Sequence, residues 1–401
     1  MAMLHISREH ARRFLTAYHF QPTDLPGVFE RLGTVQYDPL NPVGRNPDLV
    51  FQARIPGYQI DDWQHLAYTK RLLYDAWDKQ ACLVPISDWP LRAMVRESYR
   101  PYHDREILGL DPETPERILA EMDARGPLSS LELDDHSRMA DKNSWYGLTK
   151  AKRALRSMWV CGMILTHHRR NGRHYYDRPE RVIPDAHFQT PLLDNADAFH
   201  RWIIGRRFQA VGLLRPNAEA AIWSACGSSS IRKAAIAQLV ADGILTPVQV
   251  DEKAWTYYLL TSALPLLEST STATEHANEA EMRFIAPLDS ILWDRKSIEH
   301  IFGFDYIWEV YKPEHLRRWG YYVLPVFYRD RFVARIDSRL EKGVWTINKW
   351  WWESDVKPDA SMRAALKRAS RKFMHYLNAH DIIVSEAIDS KTRAVLLSGK
   401  K

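Results

Sequence analysis

The chain has 401 residues with 45% hydrophobic and 26% charged side chains, the proportions of an ordinary water-soluble globular protein. That length exceeds what one core usually serves, so two to four domains are expected, and a net charge of +5 is too mild to establish a polyanionic partner without knowing where the charge sits. Cys82, Cys161 and Cys226 show no Cys-x-x-Cys spacing, the start of the chain has no apolar signal region, and no run approaches a membrane span, which together predict a cytoplasmic protein without a disulfide framework or zinc site.

Taken in order, Ser7 is the expected N-cap of a helix over "REHARRFLTAYHF", with Ala11, Phe14, Leu15 and Tyr18 on one stripe. A shorter helix, "LPGVFERLG", should stop at Gly33. "TVQYD" then alternates as a strand, which puts Thr34, Gln36 and Asp38 on one face before Pro39, Pro42 and Pro47 stiffen the exit. Residues 60–122 are expected to be helical, with tryptophans anchoring their core. Beyond Gly126, "GPLSSLEL" suggests a turn and short helix, "GLTKAKRALRSMWVCG" an amphipathic helix, and "MILTHHRRNGRHYYDRPERVIP" two strands about an Asn171-Gly172 turn. Helix, helix and two-stranded wing is the order of a winged helix-turn-helix. The pattern recurs in "AFHRWIIGRRFQAVG", "NAEAAIWSACG", "SSSIRKAAIAQLVADG" and "ILTPVQVDEKAWTYYLL". After a Ser/Thr/Ala/Glu-rich connector at 268–281 the period changes to strands, suggesting a small antiparallel sheet or barrel with a final amphipathic helix.

The positive charge is uneven. Lys150, Lys152, Arg153 and Arg156 fall on the second helix of the first clear winged unit, and His167, His168, Arg169, Arg170, Arg173 and His174 crowd its wing. These are the two elements that usually meet a duplex, and such cations contact mainly phosphates. The plain alternative is a solvated basic face.

Gly-rich phosphate loops, His-Glu-x-x-His and Gly-x-Ser-x-Gly are all absent, which weakens nucleotide, metal and serine-nucleophile chemistry. Adjacent His167 and His168 should point to opposite faces of a strand, and the cysteines read as small buried hydrophobes. Gln36 and Asp38 remain. A carboxylate stabilises a developing sugar cation, and a carboxamide donates to and accepts from an attacking water, as N-glycosidic hydrolysis requires. A strand-end aspartate capping the turn before Pro39 fits the same spacing, and spacing alone does not choose.

"VQYDPLNPVGRNPDLVFQAR", "KRALRSMWVCGMI", "LDSILWDRK" and "GYYVLPVFYRDRFVARID", in this order, resemble the bacterial crosslink-repair DNA glycosylases of the YcaQ/AlkZ type, over about residues 5–385. The resemblance implies an α+β fold of tandem winged helix-turn-helix units with a small C-terminal antiparallel β-barrel. The units would be 1–104, with the catalytic loop, 105–187 and 188–266, followed by the barrel and terminal helix at 267–401. It implies a monofunctional glycosylase acting on alkylated purines, N7-alkylguanine and interstrand crosslinks included, in double-stranded DNA, with no cofactor, no metal and no obligate protein partner. The family's catalytic pair falls on Gln36 and Asp38, in the Gln-x-Asp form of the YcaQ-like branch. Arg45, Lys150, Arg153, Arg156, Arg169, Arg170 and Arg173 are the expected DNA-binding residues, and the location would be cytoplasmic and nucleoid-associated. A non-catalytic winged-helix regulator is the competing expectation.

Overall fold

Ser7 starts the first helix as its sequence position requires: the hydroxyl accepts the His10 N–H at 3.1 Å. In the structure, a computed structural model describing residues 3–133, 149–189, 193, 195–271 and 280–400, this helix spans Arg8–Phe20 after a strand β1 (Leu4–Ile6). Ala11, Phe14, Leu15 and Tyr18 are its buried stripe. A second helix, Leu25–Leu32, is capped by Asp24 and ends at Gly33, whose φ of 70° is the left-handed value that favours glycine. Strand β2 then covers only Val35–Gln36, and residues 37–45 are irregular up to a helix over Asn46–Gln52. The alternation expected to run through Asp38 therefore stops at Gln36. Pro39 removes a ladder donor, and Asp38 folds its carboxylate back onto the Leu40 N–H at 3.0 Å.

The chain divides into two compact units, Met1–Asp62 with Arg201–Lys401, and Trp63–His200. The second unit corrects the all-helical expectation for 60–122: strands β3 (Leu73–Trp77) and β4 (Ala81–Pro85) pair antiparallel. Aromatic and aliphatic residues in "LYDAW" and "ACLVP" suit a buried hairpin as well as a helix. What fixes the turn is Asp78, fully buried and ion-paired to Arg92 at 2.9 Å. Helices Ala93–His103 and Glu113–Arg125 follow. Residues 126–133 form a turn without the expected short helix. There the Ser129 N–H and hydroxyl both donate to the Glu132 carboxylate, at 2.8 and 2.9 Å, so a Ser-x-x-Glu capping signature forms with no helix among the described residues. The helix Lys150–Val160 and the hairpin of β5 (Leu165–Arg170) and β6 (Arg173–Asp177) lie where the sequence places them. Asn171 and Gly172, with φ of 52° and 76°, form the turn. Ile118, Met122, Leu128, Leu155, Met158 and Ile164 form the core beneath these elements.

A helix over Ala196–Val211 returns the chain to the first unit, where the helix Ser229–Ala241 precedes β7 (Leu245–Val250) and β8 (Thr256–Leu260). β1 adds to the free edge of β7 in parallel, a pairing that local pattern does not predict because its two partners lie at opposite ends of the helical region. Of the connector expected at 268–281, residues 272–279 lie outside the described ones. The rest is β9 (Met282–Phe284), a helix Arg295–Phe302, β10 (Val323–Tyr328), β11 (Arg331–Glu341), β12 (Val344–Trp352), a helix Ala360–Tyr376, β13 (Asp381–Val384) and a helix Ser390–Leu397. The strands form a sheet in the order β13-β12-β11-β10-β9, with β13 parallel to β12. The expected antiparallel barrel is thus a curled five-stranded half-barrel, with one parallel edge at β13. The helix Ala360–Tyr376 covers it, and Phe373 packs on Phe284 and Trp345 at ring separations of 4.8 and 5.1 Å.

Within the first unit the N-terminal helices are joined to the C-terminal segment by a buried ion pair. Arg54 donates to both oxygens of Asp289, at 2.7 and 2.8 Å, and both side chains are 2% exposed or less. His19 supports the pair in its neutral form: burial and then Arg54 hold it down to about 4, with one ring nitrogen on Val211 O at 3.0 Å and the other facing Arg54. Removing either partner strands a buried charge. Arg54→Met and Asp289→Leu are each expected to lower unfolding free energy by about 3–5 kcal/mol in urea denaturation, with the double variant losing less than the sum of the two.

Candidate active site

Gln36 is the last residue of β2 and is buried, with its backbone carbonyl accepting Asn46 Nδ2 at 2.8 Å. Asn46 is itself fully buried, and its Oδ1 accepts the Leu288 N–H at 3.0 Å. One carboxamide therefore fixes the end of β2 to the segment before the Asp289 ion pair. Further along the loop, Asn41 Oδ1 accepts the Gly44 N–H at 3.0 Å, and the Pro42 carbonyl accepts the Leu340 N–H of β11 at 2.6 Å. Gly44 has φ of 116°, and a methyl group there would stand 2.0 Å from the Tyr376 hydroxyl, so only glycine fits. The prolines act with these bonds to hold residues 37–45 without regular secondary structure.

Asp38 sits on this loop, half-buried. Its Oδ1 takes the Leu40 N–H, and no other donor among the described residues reaches its carboxylate. Burial raises its pKa, and the Leu40 bond opposes that shift in part. Tyr322 adjoins it: this phenol is pushed well above its usual range by burial, then by the Asp38 charge, with Tyr306 and Asp48 adding to the effect. Asp38 is thus a partly desolvated carboxyl group with one oxygen held by Leu40, the kind of group that when ionised stabilises a developing cation.

Behind the loop lies a second carboxylate that no sequence motif singles out. Asp48 is fully buried, and its Oδ1 accepts the Tyr58 hydroxyl and the Asp61 N–H, both at 2.8 Å. Its Oδ2 has no partner among the described residues. Tyr376, stacked on Tyr58 with centroids 6.4 Å apart, feels this charge and is raised well above a free phenol, by burial first and Asp48 next. The only sequence signal for Asn46 and Asp48 is "RNPDL", which marks a helix start and says nothing of what the side chains touch.

The expected DNA-binding cations separate into two groups. Arg169 is not a surface group: its side chain is 2% exposed, paired with Asp75 at 3.0 Å, bonded to the Tyr68 hydroxyl at 2.9 Å and set against the Trp63 ring. Arg45 is also largely enclosed, facing Asp61 at 3.4 Å. Lys150 is 45% exposed with Asp111 at 3.6 Å, a pair weak enough to exchange. Arg153 is half-buried, while Arg156, Arg170 and Arg173 are exposed, the last two paired across the tip of the wing. His167 and His168 do not face apart as strand alternation predicts. An irregularity between Thr166 and His168 turns their Nδ1 atoms to within 2.9 Å of each other, and both imidazoles are held below their usual pKa, by burial first and neighbouring arginines next.

A family model described as DNA glycosylase AlkZ-like matches residues 29–376, and the chain belongs to that family: it is a DNA glycosylase, an enzyme of DNA repair. The matched span includes the loop that carries Gln36 and Asp38. The solved Streptomyces sahachiroi DNA glycosylase AlkZ has a similar fold, with a TM-score of 0.62 at 14% identity, covering 95% of this chain and 100% of that one. No helix among the described residues is long and apolar enough to cross a membrane.

Asp48 gives the site a measurable pH signature. Burial pushes its carboxyl up to about 6, from a usual value near 4. The folded protein therefore holds a proton that the unfolded chain has lost between these values, so this group's contribution to stability is greatest below about pH 4 and falls as pH rises through 6. Asp48→Asn removes that dependence. In thermal melts from pH 4 to 7, the balance between variant and wild type is expected to shift toward the variant by about 3 kcal/mol.

Proposed function

We propose that this glycosylase hydrolyses the N-glycosidic bond of alkylated purines in duplex DNA, N7-alkylguanine and its interstrand crosslinks included, and that it is monofunctional. The observation that carries the reading is the state of Asp38: a half-buried carboxylate with one oxygen satisfied and the other without a donor among the described residues, on a loop pinned from several sides. Alkylation at N7 makes guanine cationic, so the base departs neutral and needs no general acid. Asp38 stabilises the sugar cation and orients water, and Gln36 holds that water against the anomeric carbon. No lysine precedes Lys70 in the sequence, in keeping with hydrolysis rather than attack by an amine next to the pair.

Residues 149–177 and 196–260 each run from helix to two-stranded hairpin, in keeping with the second and third winged helix-turn-helix units of the four-part organisation. The exposed Lys150, Arg156, Arg170 and Arg173 would contact phosphates, giving salt-dependent affinity without reading sequence.

A duplex carrying one N7-methylguanine or one nitrogen-mustard crosslink, incubated with the protein and then treated with alkali, is expected to break at the lesion. A yield equal to the protein-free control would exclude the substrate class. Asp38→Asn should abolish excision and leave duplex binding intact. Because only the ionised carboxylate stabilises the cation, wild-type excision should fall on the acid side, at a pH above the range of a free aspartate. Arg170→Ala with Arg173→Ala should weaken binding and reduce the salt slope by about 1 for each phosphate the variant no longer reaches.

A further inference from the structure

Between the helix Arg295–Phe302 and β10, residues 303–322 contain no regular element beyond one short turn at Glu314–Leu316. Irregular segments of this length inside a compact unit are usually functional or unfolded. This one is tightly built. Glu309 is 2% exposed, and its carboxylate accepts the Arg318 N–H at 3.0 Å, the Trp319 N–H at 2.8 Å and Lys312 Nζ at 2.9 Å. These bonds hold its pKa at about 2, against the opposing effect of burial. Arg335 from β11 lies between the Phe304 and Trp319 rings, 4.2 and 4.4 Å from their centroids, and donates to Asp305 O at 2.6 Å.

What this scaffold presents outward is the opposite of a solvated loop. Tyr311 is 83% exposed, Leu316 59% and Tyr321 41%. Beside them, Arg317 lies over the Tyr321 ring, and Arg318 over Trp319 with its side chain 62% exposed. Arg318's partner, Asp305, is 54% exposed, an ion pair that costs little to exchange for a phosphate. The segment ends at Tyr322, a buried phenol close enough to feel the Asp38 charge, so the chain leads from this exposed surface toward the loop that carries Asp38. Aromatic faces interleaved with guanidinium groups are the composition that holds nucleic acid by stacking and phosphate contact.

We propose that residues 311–321 form a docking surface for the DNA strand next to the lesion, with Tyr311 and Tyr321 as stacking faces and Arg317 and Arg318 as phosphate contacts. The inference rests on the glycosylase acting through Asp38, and its test is separable from that reading. Duplex binding is measured by fluorescence anisotropy over a salt series with undamaged and N7-methylguanine duplexes, and excision in single turnover. Tyr311→Ala with Tyr321→Ala is expected to weaken binding roughly tenfold to a hundredfold with the salt slope unchanged. Arg317→Ala with Arg318→Ala should lower the slope instead. Tyr311→Ala alone, at so exposed a position, tests the idea in a variant whose fold is not at stake. If the tyrosine variants bind and excise within twofold of wild type, the surface serves something other than DNA and the proposal fails. If wild type excises nothing while the variants still lose duplex affinity, the surface stands and the substrate reading falls.

Discussion

The loop that carries Gln36 and Asp38 depends on bonds to residues far along the chain. Asn46 ties the carbonyl of Gln36 to the backbone of Leu288, and one residue further on Asp289 takes both arms of Arg54. A loop of prolines is stiff but has no preferred place to sit. These two contacts, with Leu340 on the Pro42 carbonyl, give it one. On the proposed reading, in which Gln36 and Asp38 act on the glycosidic bond, a carboxylate and a carboxamide depend on preorganisation, because neither group carries reactivity of its own. The buried Asn46, Arg54 and Asp289 therefore set the position of the loop that carries Gln36 and Asp38.

Charge is used in two different ways in this molecule. Arg54, Arg92 and Arg169 are interior groups, each ion-paired with a buried aspartate. Arg156, Arg170 and Arg173 are outward and available. Sequence alone does not separate the two populations, since Arg169 and Arg170 are neighbours on one strand and differ only in which face of β5 they occupy. The modest net charge of +5 conceals this division. An arginine-rich wing is partly a structural device and partly a binding one.

Much of the fold is legible in local pattern. The Ser7 cap, the Gly33 stop, the helix Lys150–Val160 and the Asn171-Gly172 hairpin all follow from propensities acting over a few residues. Pattern fails where partners are distant. β1 is invisible because its pairing strand lies across the chain at β7, and the β3–β4 hairpin is hidden by tryptophans that suit either kind of core. The strands of the C-terminal sheet alternate well enough to suggest a small antiparallel sheet or barrel, yet alternation does not reveal that β13 joins in parallel at an edge. At the site, Gln36 and Asp38 stand out through a family pattern, whereas Asn46, Asp48 and Tyr322 become visible only once the backbone has brought them together.

The discontinuity of the first unit has a bearing on synthesis. Trp63–His200 is one uninterrupted stretch, so all its native partners within the unit have emerged soon after its last residue. The segment through Asp62 has to wait for Leu288, Asp289 and Leu340 before its loop can be fixed. On a ribosome the Gln36–Asp38 loop is accordingly among the last features to be fixed, although its residues are among the first to be made. A nascent or prematurely ended chain would expose the Asp38 loop without the bonds that hold it in place.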